Sequence, residues 1–210
     1  MTATADPPRS DDSGSSATAA KGELRRRLSA ARRAVSPQQR AEWAAALAMA
    51  TVRLAEQTGG PVCAYLPIGS EPGSAAGLDA LRAAGHEVLL PVVPAVAGPL
   101  DWARYEGRGS LADGPLGLRE PTGERQGVMA ITKARLVLIP ALAVDRRGVR
   151  LGRGGGYYDR TLPLARAGVV LAAILHDDEL VDELPAEPHD VRVSAVVRPA
   201  TGVTLLGNAR

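Results

Sequence analysis

From Lys21 onward, Leu24, Leu28, Ala31 and Val35 recur at spacings of three or four, while Lys21, Arg25, Arg26, Arg27, Arg32 and Arg33 fill the rest of each turn. The spacing predicts one basic helix. Ser36-Pro37-Gln38-Gln39 then supplies an N-cap, a first-position proline and a capping-box glutamine, so a second helix opens at Pro37 and runs to about Gln57, ended by Gly59-Gly60-Pro61. Beyond it the period changes. Short apolar runs at 61–68, 86–93 and 99–107 alternate with a helical segment at 74–84, and two longer runs, 134–144 and 169–177, are apolar at nearly every position. Strands covered on both faces carry such continuous runs. The fold expected is therefore α/β: a single three-layer αβα domain with a mixed, mostly parallel sheet, preceded by N-terminal helices. A Gly/Pro-rich stretch, 110–127, separates the two halves, and no internal repeat is visible.

Composition narrows the classes. In 210 residues, 45% are hydrophobic and 23% charged, which excludes wholesale disorder, collagen and coiled coil. With Trp 2, Tyr 4 and Phe 0 the core must be aliphatic, and rows of aromatics for stacking bases are ruled out. Lys+Arg 25 against Asp+Glu 23 leaves +2, too little for a nucleic-acid field over the whole surface. Residues 1–20 have no apolar run and read as a disordered leader before a domain at 21–210; neither a secretory signal nor a membrane span is expected. The single Cys63 excludes an internal disulfide or a Cys-rich zinc cluster, agrees with a reducing cytoplasm, and in its apolar run reads as a small buried hydrophobe. The expectation is a soluble, cytoplasmic protein.

The chemistry concentrates at 145–160, DRRGVRLGRGGGYYDR, directly after an apolar strand. Glycines at 152, 154, 155 and 156 strip side chains from a short loop, so its amides can approach an anion closely, with Arg150 and Arg153 adding full charges. A helix starting near Tyr157 would point its N-terminus at the same anion. Phosphate is the natural guest, although a plain tight turn also accounts for the glycines. The dinucleotide fingerprint fails because Tyr157 stands where its third glycine belongs, and no Walker-type sequence occurs. Asp159 is a candidate magnesium ligand beside the phosphates, or else a first-turn partner of the helix dipole. Pro163 predicts a short helix, a kink or a break.

Arg150-Leu151-Gly152-Arg153-Gly154-Gly155-Gly156-Tyr157-Tyr158-Asp159, preceded by Asp145-Arg146-Arg147-Gly148, resembles the signature of the 5-formyltetrahydrofolate cyclo-ligase (methenyltetrahydrofolate synthetase) family. Further pieces match in order: Lys21-Gly22-Glu23-Leu24-Arg25; Tyr65-Leu66-Pro67 with Glu71 and Ser74; Leu90-Pro91; Gly117 with Glu120-Pro121; and Asp190. Together they span Lys21 to about Val197. Gly155 stands where some relatives carry lysine, and Ser194 where many have a second aspartate.

The resemblance implies an ATP-dependent cyclisation of 5-formyltetrahydrofolate to 5,10-methenyltetrahydrofolate with release of ADP and phosphate, and Mg²⁺ as the metal. It implies Lys21, Arg153 and Tyr157 as catalytic groups. For ATP it implies Lys21, Gly22, Glu23, Leu24 and Arg25 together with Arg150 through Tyr158, including Leu151 and Gly152 to Gly156. Leu66, Glu71 and Tyr157 would contact the folate, and Asp159 and Asp190 the metal. No nucleic acid, membrane or obligate protein partner is implied. Of the histidines, His86 reads as structural; His176 and His189 beside Asp177, Asp178 and Asp190 form a metal site only if the ligands converge. Two other readings stay open: another phosphate-binding enzyme on the same scaffold, of sugar-phosphate isomerase or CoA-transferase type, and a nucleic-acid module using the basic helix.

Overall fold

A computed structural model describes residues 12–187 and 190–207. Helix α1 (Asp12–Ala34) begins ahead of Lys21, inside the stretch read as a leader, where the sequence is rich in alanine and serine. Residues 1–11 of that stretch lie outside the described residues. Helix α2 (Pro37–Thr58) follows the reading closely: the Ser36 hydroxyl accepts from Gln39 N at 3.2 Å, Pro37 opens the helix and Gly59 caps it at φ 66°.

Seven strands form the main sheet. Its order is β12 (Gly202–Leu205), β11 (Ala195–Arg198), β9 (Val170–Ile174), β6 (Leu136–Pro140), β1 (Val62–Cys63), β2 (Val88–Val92) and β3 (Asp101–Arg104). The five central strands are parallel and the two edges antiparallel. Successive residues of β6 explain the continuous apolar run: Leu136 and Leu138 face one core, Val137 and Ile139 the other. The first core lies under α2 and α3 (Ala75–Ala83), the latter capped by Ser74. The second is roofed by short 3₁₀ segments at 128–133 and 162–164 and by α4 (Tyr157–Thr161), so this outer layer is thinner than the predicted helical one. Pro163 does end α4 early.

Two predicted strands are shorter than read. The 61–68 run pairs only at Val62–Cys63, because after Ala64 the chain leaves the sheet to wall a cavity. The 134–144 run breaks after Pro140, which has no N–H for a ladder; the chain then joins a small second sheet of β10 (Leu180–Val181), β7 (Ala143–Asp145) and β8 (Arg150–Leu151). The 110–127 stretch is more than a spacer: β4 (Leu111–Asp113) and β5 (Arg119–Pro121) form a hairpin packed on β2.

Candidate active site

The small second sheet is the mount for the glycine-rich loop. Asp145, fully buried, accepts from the amides of Arg147 and Val149 at 2.9 Å and of Leu184 at 3.1 Å, and its carboxylate pairs with Arg147. Gly148, at φ 83°, completes this turn. Strand β8 then delivers the chain into Gly152–Gly156. Gly154 and Gly156 have φ of 99° and 67°, conformations closed to most side chains, and Gly156 hands over to α4. Arg160 fastens the far end by donating to Gly155 O at 3.0 Å and Gly98 O at 3.1 Å.

Helix α1 lies across this loop on a third apolar cluster that includes Leu28, Leu142, Val149 and Leu151. Its inward stripe is Lys21, Arg25, Leu28 and Arg32, spaced four, three and four; Ala31, expected inside, is exposed. The stripe is rotated because its arginines find partners. Arg32 is 3% exposed, forms a two-toothed pair with Glu179 at 2.6 and 2.7 Å, and donates to Ala141 O at 2.6 Å. Arg25 Nε donates to Gly152 O at 2.9 Å, tying the helix directly to the loop.

At the carboxyl ends of β6, β1 and β2, where open parallel sheets bind ligands, lies a cavity of about 610 Å³. It brings together Lys21, Arg25, Leu66, Glu71, Arg150 to Asp159 and Asp190. Gly22, Glu23 and Leu24 do not line it: Glu23 pairs with Arg26 on the outer face, and Leu24 packs on the third apolar cluster. The cavity cations are held by internal acids. Lys21 Nζ meets Glu187 at 2.9 Å, Arg153 Nε meets Glu71 at 3.1 Å, and Arg150 pairs with Asp159. Burial pulls Arg150 below the usual guanidinium range, opposed by Asp159 and Asp190. Burial likewise pushes the Glu71 carboxyl up, opposed by the Ile68 amide that it accepts from at 3.0 Å and by Arg153. Tyr158 lines the cavity and packs on the second core, its hydroxyl buried with no hydrogen-bond partner among the described residues. Tyr157 is half-buried on the wall, with the Arg160 guanidinium 5.2 Å from its ring.

Asp159 and Asp190 both line the cavity and both act on Arg150. Two carboxylates beside the glycine-rich loop could hold Mg²⁺, which takes one or two protein oxygens and completes its shell from phosphate and water. No cluster of three or more His, Cys, Asp or Glu able to hold a metal occurs among the described residues. His176 packs against Trp43 with ring centroids 4.6 Å apart and planes tilted by 48°, and faces Glu179 at 3.5 Å, while His189 lies outside the described residues. Cys63 is buried in the second core and burial pushes its thiol well up, as befits a structural residue. Among the described residues no helix is long and apolar enough to cross a membrane. Sequence reading missed Arg32, Glu179, Glu187 and Arg119. Arg32 alone carried a signal: it stands three helical turns from Lys21 on one stripe.

Residues 17–199 match the sequence profile described as the 5-formyltetrahydrofolate cyclo-ligase family. A 5-formyltetrahydrofolate cyclo-ligase of Mycolicibacterium smegmatis is 50% identical over 153 residues, 71% of this chain and 78% of the relative. One from Escherichia coli K12 is 35% identical over 125 residues, 59% and 69% of the two chains. The solved 5,10-methenyltetrahydrofolate synthetase of Aquifex aeolicus superposes with a TM-score of 0.72 at 25% identity, covering 90% of this chain and 94% of its own.

Proposed function

Because the chain belongs to the 5-formyltetrahydrofolate cyclo-ligase family, we propose that its cavity closes 5-formyltetrahydrofolate to 5,10-methenyltetrahydrofolate at the expense of ATP, giving ADP and phosphate. The observation that carries this reading is the meeting, in one cavity, of a bare-backbone loop with Lys21, Arg25 and Arg150 beside it, and of the buried carboxylate Glu71.

The chemistry explains the need for both. The N5-formyl group is an amide whose oxygen leaves poorly and whose carbon resists attack by N10. Transfer of the γ-phosphoryl to that oxygen makes the carbon electrophilic and turns the oxygen into a leaving group; N10 closes the ring, and phosphate departs. No enzyme nucleophile is required. What the protein supplies is alignment and charge neutralisation. Lys21, Arg25, Arg150, Arg153 and the amides of Gly152 to Gly156 take the phosphates, Lys21, Arg150 and Arg153 each exchanging an internal acid for a phosphate oxygen. Tyr157 orients the formyl end, and Tyr158 completes the wall beside the loop. Leu66 and Glu71 hold the pterin, Glu71 accepting from its donor edge. Asp159 and Asp190 would hold Mg²⁺, which when bound offsets charge on the transferring phosphate.

The test is ADP release by purified protein with Mg²⁺ and ATP, with and without 5-formyltetrahydrofolate, followed alongside methenyl product. Release strictly dependent on the folate is expected; folate-independent release, or none, refutes the reading.

A further inference from the structure

We propose that Arg119 anchors a carboxylate of the substrate's glutamyl tail and so selects tailed over tail-less folates; this rests on the cyclo-ligase reading of the same cavity. Five other cations line the cavity: Lys21, Arg25, Arg32, Arg150 and Arg153. Four already face carboxylates, of Glu187, Glu179, Asp159 and Glu71 respectively for Lys21, Arg32, Arg150 and Arg153. Arg25 is committed to the Gly152 carbonyl. Arg119 makes no ion pair among the described residues. Its Nη2 donates to the carbonyl of Leu111 on the facing strand at 3.1 Å, which tethers the exposed guanidinium to the hairpin and leaves its charge to solvent or to a ligand. The neighbouring carboxylate of Glu120 is turned to the Val93 amide at 2.7 Å.

Position and chemistry agree. Arg119 sits on β5, which packs on β2, whereas the glycine-rich loop follows β8 of the small second sheet; both line the one cavity. Leu90, Val93, Leu100 and Leu118 give the same cavity an apolar part of its wall. A reduced folate carries groups for each of these: a hydrogen-bonding pterin edge, the reacting N5 and N10, an apolar aminobenzoyl ring, and the glutamyl carboxylates. A guanidinium fork matches a carboxylate in shape as well as charge.

Steady-state kinetics test this with 5-formyltetrahydrofolate and its tail-less counterpart 5-formyltetrahydropteroate, at saturating ATP, on wild type, Arg119→Ala and Arg119→Lys. For Arg119→Ala we expect KM for the tailed substrate to rise about tenfold, the effect of losing one charge-assisted contact. KM for the tail-less substrate stays at the wild-type value, which also reports that the variant is folded, and Arg119→Lys recovers part of the loss. Equal losses on both substrates, or no loss on either, overturn the anchor. Wild-type protein that turns over neither substrate brings down the cyclo-ligase reading first, and the anchor with it.

Discussion

Arg153 Nε stands 3.1 Å from Glu71 Oε1, so the one side chain projecting from the glycine-rich loop neutralises the buried acid across the cavity. This pair links the glycine-rich loop to the proposed folate end of the cavity. Arg153→Ala is expected to raise KM for ATP about tenfold, the order of one lost charge-assisted contact, with a smaller effect on the folate. Unchanged kinetics for both substrates would remove Arg153 from the site.

Glu71 itself is held above the ordinary glutamate range, chiefly by burial. Its folded pKa exceeds its unfolded one, so the folded state binds the extra proton and stability falls as pH rises through that interval. Glu71→Gln is therefore expected to unfold in urea at pH 7 no earlier than wild type. Wild type should catch up as pH is lowered past the ordinary glutamate pKa. The same variant should raise KM for the folate at least about tenfold. A urea midpoint clearly below wild type at pH 7 would mean that the Arg153 pair outweighs burial.

Asp159 is 51% exposed while its partner Arg150 is 5% exposed, and asparagine at 159 keeps an oxygen able to accept from that guanidinium. Asp159→Asn should change unfolding free energy by less than about 1 kcal/mol, because Asp190 still faces Arg150. Turnover at limiting Mg²⁺ should fall about tenfold to a hundredfold and recover in part as Mg²⁺ is raised. Full activity at limiting Mg²⁺ would show that Asp159 is no metal ligand.

The buried pair Arg32–Glu179 behaves oppositely. Removing one partner, as in Glu179→Ala, strands a guanidinium that is 3% exposed and should cost about 3–5 kcal/mol. The double variant Arg32→Met with Glu179→Leu should recover most of that loss, since apolar replacements of such a pair are tolerated. Chemical denaturation of both variants decides; additive losses in the double variant would refute the stranded-charge account.

The main sheet and α2 were legible because their signals are local and redundant: continuous apolar runs for strands between two layers, and a serine cap with a following proline for the helix. The glycine-rich loop was legible because glycine at 154 and 156 answers a backbone demand, φ of 99° and 67°. What stayed hidden depends on distant partners. Arg32 sits in a run of arginines, and nothing near it announces Glu179, 147 residues away. Ala31 looked like an inward position until the arginine found that partner. Strands β1 and β6 ended early where the chain turned from sheet to cavity or to the second sheet, choices made by packing and not by propensity.

Glycines 148 and 152 separate a glycine kept for the backbone from one kept for a ligand. A Cβ on Gly148 would lie 2.3 Å from Val193 O at φ 83°, and Val193 N is itself bonded to Gly148 O at 2.8 Å, so neither chain can yield. Gly148→Ala combines left-handed strain of about 1–2 kcal/mol with a backbone clash and should lower the melting temperature sharply. At Gly152 no atom lies within 4 Å of the added Cβ and φ is not positive. Gly152→Ala should melt at or slightly above wild type, since alanine restricts the unfolded chain by about 0.4–1 kcal/mol. Its methyl group nevertheless stands on the cavity wall where phosphate oxygens would approach the loop amides, so KM for ATP should rise about tenfold, the order of one hydrogen bond lost to a charged group. Thermal melts and ATP kinetics on the two variants give the answer: a Gly152→Ala enzyme with wild-type KM for ATP would exclude position 152 from the cradle.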